Sequence, residues 1–226
     1  MYAWDFGPVW AHADLLALGL LNTLKVTAAA LTFGVPLGLA LALMRLSPRR
    51  ALRWPAGAVI EVFRTTPPLV QLFWFFFALP ILLQVEMTPY AAAVLTFSIQ
   101  SAAFFAEVFR GGIVSIERGQ WEAGRALGMT PRQVLRRIVL PQAVQRMVPA
   151  FLERAIELMK TTTLVATVSY ADLLYQTNEI ALKTFRPLEV FTVAALLYFG
   201  VIFAASMLVQ HVERRLAVGG QGTRRG

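Results

Sequence analysis

The hydrophobic pattern divides the chain into long apolar runs separated by short stretches that collect arginine. Residues 15–44 form the first run, long enough to cross a bilayer core at roughly 20 residues and still tilt or bend, with Pro36 marking a kink. Gly34 and Gly38 make a small-xxx-small step inside it that would let another helix approach closely. Further runs at 56–83, 90–109, 149–169 and 188–209 predict an all-α integral membrane protein of about five transmembrane helices. A mixed segment at 170–187 separates the last two runs.

Between the third and fourth runs lies a charged, helix-forming segment. Residues Glu122 to Leu127 favour helix, and Gly128 ends that turn. Thr130 can cap a second helix that starts with Pro131, and Gln133 completes a capping box. This helix is expected to run to about Leu140, with Pro141 as its stop. Arg132, Arg136 and Arg137 would point outward, leaving Val134, Leu135, Ile138 and Val139 to pack. The pattern describes a helix, a glycine hinge and a helix, suited to act as a lever between spans; an amphipathic loop lying on lipid headgroups is the other possibility.

Composition agrees with a membrane protein: 57% of residues are hydrophobic, 15% are charged, and the mean hydropathy of +0.60 exceeds that of soluble domains. Within 226 residues, five spans and one loop are expected to leave no room for a fused nucleotide-binding or solute-binding domain. The absence of Cys excludes disulfides and thiolate chemistry. A net charge of +8 could suggest nucleic acid. The arginines instead occupy the gaps between apolar runs, which is a topological signal and argues for no nucleic acid partner. Arg45, Arg49, Arg50 and Arg53, then Arg110 to Arg146, then Arg214, Arg215, Arg224 and Arg225 mark the cytoplasmic side. Only Lys183 and Arg186 fall in the outer segments, so the N-terminus is placed out and the C-terminus in. No basic n-region precedes Lys25, so no cleavable signal peptide is expected. The aromatic residues Tyr2, Trp4, Phe6 and Trp10 suit a membrane interface.

Polar groups inside the apolar runs cost roughly 2.5–3.5 kcal/mol per charge at mid-helix and therefore mark function or pairing. In the fourth run Glu153, Glu157, Lys160, Leu164 and Thr167 recur at helical spacing on one stripe. It either lines a substrate path or holds an internal pair of Glu157 with Lys160. The second run carries Arg64, Thr65, Thr66 and Gln71 around Pro67 and Pro68, which interrupt the helix and free carbonyls. Arg64 could hold a carboxylate or pair with Glu61. In the third run Gln100 is the path candidate, while Glu107 is expected to pair with Arg110. The sequence contains no phosphate-binding G-x-x-x-x-G-K-[ST] loop, no metal-ligand cluster and no catalytic Ser/His/Asp set, so neither ATP binding nor enzyme chemistry is assigned to the chain. An ion or solute channel working without an ATPase, and a membrane-embedded enzyme, are the rival classes.

Glu122-Ala123-Gly124, then Gly128, then Ile138-x-Leu140-Pro141 resembles the EAA signature of ABC importer permeases. The stretch 106–124, AEVFRGGIVSIERGQWEAG, is similar to the polar amino acid uptake branch, and the likeness extends from about Gly19 to Phe199. The third EAA position is Gly124 here, and Glu153, Thr65 and Thr161 stand where the family usually has Asn, Gly and Asp. The resemblance implies a type I permease domain over 19–210 with a cytoplasmic coupling loop at 110–147. It is flanked by an extracytoplasmic interfacial N-terminus, 1–18, and a cytoplasmic basic tail, 211–226. It further implies two ABC ATP-binding subunits that use ATP and Mg, an extracytoplasmic solute-binding protein, a second permease chain and a location in the bacterial inner membrane. This chain itself would bind no cofactor.

Overall fold

A computed structural model describes residues 2–220, and the side chains of residues 2–212. Arg224 and Arg225, and the side chains of Arg214 and Arg215, on which the basic tail was expected to rest, lie outside the described residues. The described chain is all-helical. Its main elements are α1 (Ala13–Leu46), α2 (Arg50–Thr65), α3 (Pro68–Leu83), α4 (Pro89–Val114), α5 (Arg118–Ala126), α6 (Pro131–Val134), α7 (Leu140–Thr161), α8 (Leu173–Thr184) and α9 (Pro187–Gly220). Among them α1, α4 and residues Pro187–Val212 of α9 are long and apolar enough to cross a membrane, and the bent pair α2–α3 is a fourth candidate. Helix α7 lies in the fourth apolar run but carries Arg146, Glu153, Arg154, Glu157 and Lys160, too many charges for a lipid-facing span.

Helix α4 is the centre of the bundle: 61% of its most apolar window is buried, against 17% for that of α9. Thr88 caps it by accepting from the Ala91 N–H, and Pro89 begins it. Helix α1 crosses α4 at the glycine step. A Cβ on Gly34 would lie 2.9 Å from the Ser101 Cβ, and one on Gly38 would lie 2.8 Å from the Ala102 carbonyl oxygen. The small residues therefore set the helix separation. Leu41, Ala42, Ala56, Ile60, Ala102 and Ala106 extend this packing to α2.

Two prolines are accommodated in the same way. Wide turns at Trp74–Ala78 and Leu135–Val139 each end two residues before a proline, Pro80 and Pro141. A proline ring crowds the carbonyl four residues back and offers no N–H, and an extra residue in the turn moves that carbonyl aside. Pro141 is therefore not a helix stop. It lies in the first turn of α7, continuous with α6 through the wide turn, and the Gln142 amide donates to the Ile138 carbonyl at 2.9 Å. The regular helix instead ends at Thr161, where a tighter 3-10 stretch, Thr162–Val168, takes over. The stripe expected from Glu153 to Thr167 is broken there, because three residues per turn rotate Leu164 and Thr167 off the face of α7.

At the other end of the bundle a short helical turn, Gly7–Trp10, buries Val9 against Leu16, Leu173, Ile180 and Val190. Tyr2 donates to the buried Glu189 carboxylate at 2.6 Å, and Arg186 donates to the Ala3 carbonyl. The N-terminal segment is thus tied to the start of α9, with Trp4 and Trp10 exposed.

Asp172 caps α8 by accepting from the Tyr175 N–H at 2.8 Å, but its residue is fully buried and its second carboxylate oxygen has no partner among the described residues. Burial pushes this carboxyl up from its ordinary 3.8 to about 6. The folded chain thus holds the proton more tightly than the unfolded chain. The associated stability is full below about pH 4 and is lost as the pH rises through 6. Asp172→Asn keeps an accepting cap and removes the buried charge. It should raise stability at pH 8 by about 1–3 kcal/mol and leave it nearly unchanged at pH 4, which thermal unfolding in detergent at the two pH values would measure.

Candidate functional site

The second apolar run breaks where its prolines require. A residue before proline is driven out of the helical region, and Thr66 and Pro67 both precede one. Both are extended, with ψ of 134°, and α2 and α3 meet at 107°. Pro67 cannot donate to the Phe63 carbonyl. Gln71, which is buried, does so instead, its amide reaching the carbonyls of Phe63 at 3.1 Å and Thr66 at 2.9 Å. Gln71 therefore holds the break together and does not face the cavity described next.

At the break, α2 and α3 meet α4 and α7 around a cavity of about 120 Å³. Its lining includes Arg64, Thr66, Pro68, Gln100, Ser101, Phe104, Arg154, Glu157 and Thr161. Arg64 does not pair with Glu61; its guanidinium carbon lies 5.7 Å from the centre of the Phe104 ring, and it makes no ion pair among the described residues. Arg154 approaches the same ring at 4.5 Å and pairs with Glu157. The pair of Glu157 with Lys160, one of the two alternatives for this stripe, does not form: Glu157 pairs with Arg154, and Lys160 is exposed. The Ser101 hydroxyl is buried without a hydrogen-bond partner among the described residues. The cavity is well below the roughly 300–1,000 Å³ of clefts for drug-sized ligands, so it suits a small metabolite.

Of the path residues expected from sequence, the structure brings together Arg64, Thr66, Gln100 and Glu157. Thr65 donates to the Glu61 carbonyl at 2.8 Å, and Glu153 and Lys160 are exposed away from the cavity. Sequence reasoning missed Ser101, Phe104 and Arg154. The signal for Arg154 was present as a second stripe through Glu157, made by Arg154, Leu158 and Thr161. What selects it is Phe151, which stacks on Phe105 at 4.5 Å and turns that face toward α4. Glu107 pairs with Arg110 at 2.7 Å as expected.

The lever is built around its own small core of Ile116, Val134, Val139, Ala143 and Met147, with Trp121 packed against it. Gly128 has φ of 73° and ends α5: the Met129 N–H bonds to the Gly124 carbonyl and the Gly128 N–H to that of Arg125. This is a Schellman stop, a rigid corner where the sequence suggested a hinge. The capping box follows at once, with the Thr130 N–H donating to the Gln133 side chain at 2.8 Å and the Gln133 N–H returning to the Thr130 hydroxyl at 3.3 Å. Gly124 is buried, and a Cβ there would lie 2.8 Å from Val134 and 3.0 Å from Ile138. Glu122, Ala123, Leu140 and Pro141 are exposed, and Ile138 is half-buried. Glu122 has no ion pair among the described residues and shares a surface crevice with Arg118, Trp121 and Arg125.

An all-helical, multi-pass bundle with a cavity at a broken helix and a protruding helical lever is the architecture of a membrane permease. The family is shown by comparison. Residues 34–218 match the binding-protein-dependent transport system inner membrane component family, and the chain belongs to it as an ABC importer permease. It is 37% identical to the glutamate/aspartate import permease protein GltK of Escherichia coli O157:H7, over 96% of this chain and 100% of that one. It is 38% identical to the L-cystine transport system permease protein TcyB of Bacillus subtilis, over 89% and 86% of the two chains. A crystal structure of an amino acid ABC transporter with histidines superposes with a TM-score of 0.90 at 34% identity, covering 95% of this chain and 100% of that one. Membership of a binding-protein-dependent family leaves the ATPase-independent channel without support.

Proposed function

We propose that this chain carries a polar amino acid or similar small zwitterion across a bacterial inner membrane, with the break between α2 and α3 as part of the path. The cavity carries this reading: a small, partly apolar chamber at an interrupted helix, holding two guanidiniums, a carboxylate and an unpartnered hydroxyl. A zwitterion needs both signs of charge. The relatives named for glutamate, aspartate and cystine, and the transporter structure with histidines, support the same class.

In this reading five spans form the permease domain, 19–210, with α7 and its 3-10 extension as the fourth, its exposed charges turned to the second permease chain rather than to lipid. Residues 1–18 lie outside and 211–226 inside, the orientation that the arginine asymmetry favours. A second permease chain completes the path. Two ATP-binding subunits, which use ATP and Mg, dock on the lever within 110–147, and a solute-binding protein docks on the opposite side. Gly128 and the capping box hold α5 at a set angle to α6 and α7. Movement of a partner at Glu122 would therefore be passed as a rigid displacement into α7 and its Arg154–Glu157 pair, opening the cavity alternately to either side.

Reconstitution in proteoliposomes with an ABC ATPase and a solute-binding protein of the same system tests this. Uptake of a labelled amino acid should require ATP. Glu122→Lys should abolish uptake while leaving membrane insertion normal; undiminished uptake would remove Glu122 from the docking contact.

A further inference from the structure

We propose that the corner joining α1 to α2 binds the headgroup of an anionic phospholipid, with Arg45, Arg49, Arg50 and Arg53 on its phosphate and the exposed Trp54 beside its acyl chains. The inference rests on the orientation given above, which puts this corner at the inner surface of the membrane. Helix α1, long and apolar enough to cross a bilayer, ends at Leu46 with Arg45 in its last turn, and α2 starts at Arg50. The corner therefore lies at a membrane surface. Since α2 meets α3 at 107°, the two cannot both follow the membrane normal.

A topological signal needs only an excess of positive charge, wherever it falls in the loop. This corner has more than that. Any Cβ at Gly57 would overlap the Arg45 guanidinium, so the glycine gives that group a seat on α2, from which Arg45 donates to the Arg53 carbonyl at 3.3 Å. The fold thus fixes one cation beside another. Arg49 and Arg53, and likewise Arg50 and Trp54, are one helical turn apart and share a face. Trp54 is 69% exposed, with Leu46 and Leu52 also exposed on this corner. Arginines interleaved with an indole and leucines suit the headgroup layer, where phosphate and acyl carbons are both within reach. The planar guanidinium matches a phosphate bidentately.

The corner holds no counter-charge of its own. None of the four arginines makes an ion pair among the described residues, and Glu107, the acidic residue of α4, is taken by Arg110. Glu61 lies about two turns beyond Arg53. The first turn of α2 has neither an acidic residue nor a side-chain cap, although cations there oppose the helix dipole. Being exposed, these arginines carry no burial penalty; what favours the lipid is attraction to an anionic surface, which grows with each arginine. An acidic protein would leave Trp54 and the leucines facing carboxylates. The lever offers the contrast: its basic crevice of Arg132, Arg136 and Arg137 is completed by Thr130 and Gln133, with no apolar member.

The test is binding of labelled phosphatidylglycerol and phosphatidylcholine to the permease purified with its ATPase subunits in neutral detergent. Phosphatidylglycerol should bind about tenfold or more tightly than phosphatidylcholine. Arg49→Gln/Arg50→Gln/Arg53→Gln should weaken phosphatidylglycerol about a hundredfold, while Arg132→Gln/Arg136→Gln/Arg137→Gln, which removes the same charge from the lever, should bind as the unaltered protein does. Arg45 is kept in both because its guanidinium is packed. Equal binding of the two lipids, or equal losses in the two triple variants, would overturn the site. Displacement of the lipid by inorganic phosphate would assign the corner to the free anion and overturn the lipid. Orientation is read separately, since the chain has no Cys. A membrane-impermeant thiol reagent should label Ala51→Cys in inverted vesicles and not in right-side-out ones; the reverse would overturn the orientation, whatever the lipid result.

Discussion

Gly38→Leu is expected to yield almost no folded permease. The Cβ alone would sit 2.8 Å from the Ala102 carbonyl oxygen and 2.8 Å from the Phe105 Cβ, and the rest of the side chain would have to enter α4. Neither obstacle can rotate away, since one is backbone and the other is the root of a fully buried side chain. Overpacking typically costs about 1–3 kcal/mol, and this site belongs at the top of that range or above it because the two helices must separate along their length. Such separation would also move Gln100, Ser101 and Phe104, the residues of α4 at this crossing that line the cavity. The measurement is the yield of monodisperse protein after detergent extraction. Gly111→Leu on α4, where a Cβ meets nothing within 4 Å, is the control that should extract normally.

The second large effect is expected at the lever. Gly124→Leu should leave the spans folded and uptake lost. Val134 and Ile138, which a Cβ at Gly124 would meet at 2.8 and 3.0 Å, belong to the helix that continues into α7, and Val134 is fully buried and β-branched. The larger residue therefore pushes α5 off α6, and Glu122 moves with it. Coupling between distant sites is typically worth about 1–3 kcal/mol, so uptake should fall by about ten- to a hundredfold while the ATPase subunits still hydrolyse ATP. Parallel measurement of hydrolysis and uptake in proteoliposomes checks this. Uptake that stays in proportion to hydrolysis would mean that the angle between α5 and α6 does not carry the coupling.

Local chemistry was legible in the sequence wherever near neighbours decide the outcome. Thr130, Pro131 and Gln133 form their capping box, Glu107 finds Arg110 three residues on, and Pro67 and Pro68 break the helix between them. Pro141 was misjudged because its effect depends on the turn before it. The wide turn at Leu135–Val139 makes room for the ring and carries the helix through it into α7. The choice between the two stripes through Glu157 was likewise invisible. Glu153 with Lys160, and Arg154 with Thr161, both have helical spacing, and only the stacking of Phe151 on Phe105 turns the second inward.

The sequence by itself determined a membrane-embedded helical bundle with a capped lever bent at Gly128, because apolar run length, arginine placement and cap residues act over a few neighbours; the permease class came from the resemblance carried by residues 122–141. Only the tertiary structure decided which charges meet. Arg64 and Arg154 lie far apart along the chain, and they share a cavity because a proline break and an aromatic contact bring α2, α4 and α7 around the Phe104 ring. Pairing of that kind depends on helix rotation and crossing distance, which Gly34 and Gly38 impose through space and which local spacing leaves open.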